Sequence, residues 1–263
     1  GAEGTLGLIT ELVLKLHGQP ETTGAATCAF PDIDTAVAAV TDTIQMGIPM
    51  ARIEFVDAAT VAAVNSYSKA DFPLQPHLLV EFHGSEAGVA EQAERFGEIA
   101  AEHGGDRFDW ATQAEDRNRL WQMRHHAYWA ILASRQGCRA IVTDVCVPIS
   151  KLAEAVAETQ ADIAQSIVPA PILGHVGDGN FHAILLIDPD SPTEWTAAEA
   201  LAKRMAERAL RLGGTVTGEH GIGMGKLGYM EAEHGAAWDV MTRLKQALDP
   251  DNIMNPGKLV RQN

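Results

Sequence analysis

Two histidines frame a short segment with a turn signal at its centre: Gly174-His175-Val176-Gly177-Asp178-Gly179-Asn180-Phe181-His182. Asp-Gly between apolar flanks signals a two-residue hairpin turn with positive φ at both central positions. With Asp178 and Gly179 at the turn, Gly177 faces Asn180, Val176 faces Phe181 and His175 faces His182. Directly opposed residues share one face of a ribbon, with Cβ atoms about 4.5–5.5 Å apart. That spacing suits two imidazoles holding one divalent metal. Two surface histidines beside an ordinary hairpin fit it equally well.

A second segment, Gly213-Gly214-Thr215-Val216-Thr217-Gly218-Glu219-His220-Gly221-Ile222-Gly223-Met224-Gly225-Lys226, is too glycine-rich for helix or regular strand. Glycine permits positive φ and close approach of a ligand. Glu219 completes a set of two histidines and one carboxylate with open positions, the arrangement of a working metal rather than a structural one. His220 then stands beside the metal as a proton acceptor. A structural glycine loop is the alternative. A phosphate-binding P-loop is excluded, because the glycine expected five positions before Gly225 falls at His220 and Lys226 is followed by Leu227.

These residues need elements to hold them. Thr27 to Phe30 reads as a strand, and a helix runs from the acidic start at Asp32 to about Met46. Ala51 to Val56 is a strand, Ala58 to Ser66 a helix, His77 to His83 a strand and Glu86 to His103 a long helix. A second set follows: a strand over 140–147, a helix from Ser150 to Ala164, hairpin strands around 170–187 and a helix from Thr193 to Leu212. Two ferredoxin-like units sharing one antiparallel sheet make an α+β fold with helices on one face. Between the units, apolar residues at 120, 121, 123, 127, 128 and 131 give a helix with one buried stripe. Arg124 lies close to that stripe, so its planar fork is aimed at a cleft where it can grip a carboxylate in two places. A solvated arginine is the alternative.

Composition narrows the class. At 263 residues the chain has room for one large or two modest cores. Its 46% hydrophobic and 21% charged residues are ordinary for a globular protein. A net charge of −15 excludes a nucleic-acid footprint, which must be basic, but not a small anionic substrate met by local arginines. No apolar run approaches the roughly 20 residues that span a bilayer. Three cysteines, Cys28, Cys138 and Cys146, form an odd set without CxxC spacing, which favours reduced thiols. That places the protein in the cytoplasm or peripheral to the inner face of the membrane.

GHVGDGNFH, GEHGIGMGK and the terminal DPDNIMNPGK together resemble the C-terminal half of FAD-linked oxidases of the vanillyl-alcohol oxidase superfamily. More narrowly, WQMRHHAYWA followed by SRQGCRAIVTDVCVPISKLAE is similar to D-lactate dehydrogenases of the cytochrome type. Glycolate oxidase subunits and D-2-hydroxyglutarate dehydrogenases share the metal motifs and are expected to differ around residues 124–146.

The resemblance implies a division of the chain. Residues 1–20 would be the tail of an FAD-binding domain, 21–248 the substrate domain, and 249–263 a segment returning to the flavin domain. The chain is thus expected to be a fragment. Gly4, Thr5, Ile9 and Asn255 would contact FAD. The implied activity is oxidation of a small anionic D-2-hydroxy acid, D-lactate above all, with electrons passing to a cytochrome or quinone. His175, His182 and Glu219 would hold Zn, Mn or Fe, with His220 the base. Arg124, Arg139 and Asn180 would bind substrate. A non-catalytic metal-binding module on the same scaffold, or a flavin-free metal hydrolase or lyase, is the competing reading.

Overall fold

The computed structural model describes residues 1–261. Each β-branched or aromatic run forms a strand, and each capped amphipathic stretch a helix. In chain order these are β1 (Thr22–Ala29), α1 (Ile33–Gln45), β2 (Met50–Val56), α2 (Ala58–Ser68), β3 (His77–Gly84), α3 (Glu86–Glu102), β4 (Asp106–Ala111) and α4 (Ala114–Ala133). There follow β5 (Arg139–Val142), β6 (Val145–Cys146), α5 (Leu152–Ala164), β7 (Ile172–Gly174), β8 (Asn180–Ile187), α6 (Pro192–Arg211), α7 (Met230–His234) and α8 (Ala236–Leu248). The starts of α1, α2, α3 and α6 are fixed by side chains that accept from free backbone N–H groups: Asp32 from Thr35, Asp57 from Thr60, Ser85 from Gly88 and Ser191 from Glu194.

All strand pairings are antiparallel, in the order β4-β1-β3-β2-β7-β8-β5, with β6 also on β8. The first four strands have the order and βαββαβ course of a ferredoxin-like unit, with α2 inserted between β2 and β3. The second unit repeats it from β5–β6 through α5, β7, β8 and α6. Its closing strand is reduced to one bridge, Cys146 to Thr215, because the glycine-rich segment leaves the sheet there. The units join through β2 and β7, where Phe55 faces Gly174 and Val56 faces Leu173. Asp57 clamps the seam: one oxygen caps α2 and the other accepts from Ile172 N at 2.9 Å.

The antiparallel α+β architecture is as expected, but helices cover both faces of the sheet. Helices α1, α3, α5 and α6 bury one face over a core containing Phe30, Phe55, Phe82, Phe96 and Phe181. The other face is closed by α2 and α4, with Val61, Val64, Met123 and Ile131 against Val56, Leu79, Ile184 and Leu186. Strand β8 is buried along its whole length, so it needs cover on both sides; the Leu120–Ile131 stripe supplies the second.

Three further expectations change. Strand β4 was not anticipated, and its exposed acidic and basic residues explain why. The strand over 140–147 breaks at Thr143 and Asp144 into β5 and β6. The hairpin register also differs. Leu173, not His175, pairs with His182, and residues Val176–Asp178 form a single tight 3-10 turn. Only Gly179 has positive φ there, at 78°. The loop closes on itself through Asn180 N to His175 O at 3.3 Å and also against the end of β6: Val147 N donates to Gly179 O at 3.0 Å, and a Cβ at Gly179 would lie 2.1 Å from Val147 O. His175 stands two residues beyond Leu173, so it stays on the side of the sheet that carries His182.

Candidate active site

The polar end of the α4-covered face gathers the residues singled out above. His182, on β8, is buried and its Nδ1 lies 2.8 Å from Thr143 O. That contact makes Nδ1 the N–H donor and leaves the Nε2 lone pair facing outward. Burial, opposed by the Thr143 carbonyl, lowers the His182 pKa and favours the neutral ring that can ligate. His182 Nε2 is 3.0 Å from Glu219 Oε1, and His175 Nε2 is 3.4 Å from the same oxygen. The two imidazoles stand nearly perpendicular, with centroids 5.9 Å apart.

This donor set fits a divalent ion. Bonds of about 2.0–2.1 Å to tetrahedrally disposed ligands imply ligand-to-ligand separations of about 3.3 Å. Those of His175 and His182 to Glu219 are close to that, and one donor atom from each of the three residues lies within 4.8 Å of the others. Glu219 and His175 remain partly exposed, leaving the outer side of the cluster open. Asp144, His182 and His220 form an alternative group, but the Asp144 carboxylate is already filled by protein donors.

Asp144 is what shapes the glycine loop. Its carboxylate accepts from Glu219 N at 3.0 and 3.1 Å, His220 N at 2.9 Å, Asn180 Nδ2 at 2.9 Å and Lys226 Nζ at 2.9 Å. Burial alone would raise this carboxyl; the bonds from Lys226, His220 and Asn180 outweigh it and hold the pKa down at about 2. Gly218 is required for this approach, since a Cβ there would sit 1.7 Å from Asn180 Nδ2 and 2.6 Å from Asp144 Oδ1. With both amides pinned, consecutive side chains diverge: Glu219 meets the two histidines. His220 stacks on His182, centroids 5.0 Å apart and planes 9° from parallel, with its Nε2 3.7 Å from Glu219 Oε1.

Behind His175 lies Glu54, a buried carboxylate on β2 between Ile53 and Phe55. Its Oε1 accepts from His175 Nδ1 at 2.6 Å and its Oε2 from Arg124 Nε at 2.9 Å. Burial would raise the Glu54 pKa, but His175 and Arg124 together take it below the usual range. The bond to Glu54, against the cost of burial, raises that of His175. Arg124 is thus brought to the cluster as expected.

Asn180 is buried at the edge of the cluster, and its Oδ1 has no partner among the described residues. Arg139 is not brought there. It lies opposite Ile187, five residues along β8 from His182, and its guanidinium covers Trp195 at 5.3 Å. Asp144, Glu54 and Lys226 were missed. The available signal was an acid inside an apolar strand run, Ile141-Val142-Thr143-Asp144-Val145 and Ile53-Glu54-Phe55, where burial demands a partner.

The N-terminal segment docks beside the loop. The Glu3 carboxylate accepts from Ile222 N at 2.7 Å and Gly223 N at 2.8 Å, and Asn255 Nδ2 donates to Glu3 O at 2.6 Å. Gly4 has φ of 69°, and Thr5 is fully buried, its carbonyl accepting from Lys245 Nζ at 2.9 Å. Gly4, Thr5 and Asn255 therefore lie together, whereas Ile9 lies in an exposed stretch without helix or strand. A cavity of about 420 Å³ opens between Glu3, Leu6, Glu219 and Leu244, and another of about 450 Å³ between Arg52, Glu54 and His175. Glu219 lines the first, and Glu54 and His175 line the second. A third cavity, near Arg107 and Arg119, contains none of these residues.

Comparison with known proteins identifies the family of the chain. Residues 19–259 match the family described as FAD linked oxidases, C-terminal domain. The chain belongs to that family. It is 46% identical over 261 residues to a probable mitochondrial D-lactate dehydrogenase of Danio rerio, covering 99% of this chain and 52% of that protein. It is 40% identical to a mitochondrial cytochrome D-lactate dehydrogenase of Arabidopsis thaliana, covering 99% and 46%. It is 34% identical to the glycolate oxidase subunit GlcD of Bacillus subtilis, covering 98% and 55%. The chain thus spans about half the length of the curated relatives it matches. Among solved structures, 4-ethylphenol oxidase from Gulosibacter chungangensis superposes with a TM-score of 0.69 at 14% identity, over 93% of this chain and 55% of that one. This likeness shows the fold. No helix among the described residues is long and apolar enough to cross a membrane.

Proposed function

We propose that this chain is the substrate-domain part of an FAD-dependent dehydrogenase that oxidises a D-2-hydroxy acid, D-lactate to pyruvate, and passes electrons to a cytochrome or quinone. The observation that carries the reading is one cluster holding His175, His182, Glu219, His220 and Arg124. The names of the D-lactate dehydrogenase relatives favour lactate; glycolate, named for another relative, is the second substrate to test.

In this reading residues 21–248 form the substrate domain. Residues 1–20 and 249–263 belong with the flavin side, and the bond from Asn255 Nδ2 to Glu3 O, which ties the two segments together, supports this; the last two residues lie outside the described ones. Gly4 and Asn255 would meet FAD, and the exposed Ile9 would do so only once that side is in place; Thr5, fully buried with its hydroxyl on Ala2 O and its carbonyl on Lys245, is withdrawn from that set. We place the protein in the cytoplasm or at the inner face of a membrane, with the mitochondrial location named for its relatives as the alternative.

His175, His182 and Glu219 would hold a divalent cation, Zn, Mn or Fe. When bound, that ion would lower the pKa of the substrate hydroxyl, and FAD would take the Cα hydride. His220 Nε2 receives the hydroxyl proton as the C–H bond breaks, so the alcohol leaves as a ketone with charge balanced. Arg124 keeps its two terminal nitrogens for the substrate carboxylate and fixes which face of Cα is presented. Asn180 Oδ1, without a partner among the described residues, is an acceptor at the cluster's edge. Arg139 is left out of this clamp.

Anaerobic flavin bleaching of the complete protein with a panel of D- and L-2-hydroxy acids tests the proposal. Rapid bleaching by D-lactate, slower bleaching by glycolate and none by L-lactate is the expected result. No bleaching by any hydroxy acid would overturn it.

A further inference from the structure

Resting on the metal reading above, we infer that Glu54 is a positioning residue that aims the metal-binding and substrate-carboxylate arms together. Neither the hairpin nor the glycine loop contains it; it comes from a different strand and a different ferredoxin-like unit.

The geometry divides its two oxygens without remainder. Oε1 takes His175 Nδ1 and Oε2 takes Arg124 Nε. The side chain is 6% exposed, so water competes little for either bond, and a buried carboxylate without both partners would be costly. On the first arm, holding Nδ1–H turns Nε2 of His175 to Glu219; a carboxylate behind a ligating imidazole fixes its tautomer and ring angle. His175 needs this support more than His182. It sits on the loop after β7 rather than on a ladder, whereas His182 is held by β8 and the Thr143 carbonyl. On the second arm, Glu54 engages Nε and makes no bond to the two terminal nitrogens of Arg124. That is the end of the guanidinium that forks a carboxylate. One rigid strand residue therefore sets the angle between the two arms, and a change at Glu54 disturbs both.

Glu54→Gln keeps the shape and offers one acceptor, so one arm is satisfied and the other meets a donor. In the complete FAD-containing protein, Zn(II) and Mn(II) affinity would be read without substrate, by competition with a chromophoric chelator. E54Q should bind metal about 10–100-fold more weakly, and its KM for D-lactate should rise by a larger factor than kcat falls. Added to His175→Ala, it should leave metal affinity within about twofold, since Glu54 reaches the metal through His175. Metal affinity of E54Q within twofold of the parent, while H175A and H182A lose metal, overturns the inference and leaves the metal reading standing. Parent-like metal binding by H175A and H182A instead overturns the metal reading, and the inference with it. If E54Q loses its flavin or secondary structure, Glu54→Asp is read in its place. It keeps the charge but is a methylene too short to bridge both arms, and parent-like metal affinity there overturns the inference equally.

Discussion

Replacing Asp144 by Asn removes one carboxylate oxygen and one charge from a site that receives bonds from two loop amides, Asn180 and Lys226. The amide that results has a single acceptor, so its NH2 must face either Lys226 and His220 N or Asn180 and Glu219 N, donor against donor. The depression of the pKa from 3.8 to about 2 corresponds, at about 1.4 kcal/mol per unit, to about 2–3 kcal/mol favouring the ionised form in the folded state. The side chain is 1% exposed, so solvent screens little of it. Breaking a buried pair typically costs about 3–5 kcal/mol; Lys226 is 22% exposed and can recover some hydration. The expected loss is therefore about 2–4 kcal/mol, roughly 5–15 °C in melting temperature for a domain of this size. The damage should concentrate in the loop, so metal affinity should fall with the melting temperature. Thermal unfolding and a chelator competition on the same preparation measure both. A D144N protein that melts within 1 °C of the parent and holds metal as tightly would refute the argument that Asp144 shapes the loop.

Gly218→Ala should also displace the loop, because its Cβ meets Asn180 Nδ2 at 1.7 Å; an overpacking cost of about 1–3 kcal/mol and weaker metal binding are expected, in unfolding and metal titrations. Arg124→Ala should raise the KM for D-lactate and also lower the melting temperature, since it leaves the buried Glu54 with one partner. Arg139→Ala, with its guanidinium over Trp195, should leave KM within about twofold, and a loss as large as that of R124A would restore Arg139 to the clamp. Glu194 tests pH dependence away from the cluster. Arg135 forks its carboxylate, which with the Asp188 amide holds the pKa at about 2 against an ordinary 4.5. A depressed acid stabilises the fold above its unfolded pKa, so the stability gap between parent and Glu194→Gln should be full above about pH 4.5 and vanish as the pH falls to about 2. A gap independent of pH would contradict this.

Much of the site was legible because its chemistry sits in short glycine-framed segments. His175, His182, Glu219 and His220 are where local spacing put them, although the hairpin register that suggested the first two was wrong. The same-side placement survived because the loop moved His175 by an even number of residues relative to the ladder. Arg124 was legible from helical periodicity. What local pattern could not supply was pairing across the sheet. Glu54 meets His175 only because β2 and β7 join the two units, and Asp144 meets the loop only because the closing strand shrinks to Thr215. Arg139 failed for the matching reason: strand register carried it along β8 to Ile187, away from His182. The second helical layer was visible as the 120–131 stripe, but only full burial of β8 shows which face it covers.

The central claim is that His175, His182 and Glu219 hold an ion needed for hydroxy-acid oxidation. It is tested most directly by the rate of anaerobic flavin reduction by D-lactate in the complete protein, stripped of metal and then reloaded, with Glu219→Gln measured alongside. The account predicts a rate lost on stripping and restored by added Zn(II), Mn(II) or Fe(II) in the parent, and no restoration in E219Q although its flavin stays bound. Reduction at an unchanged rate after stripping, or equal restoration in E219Q, would contradict it.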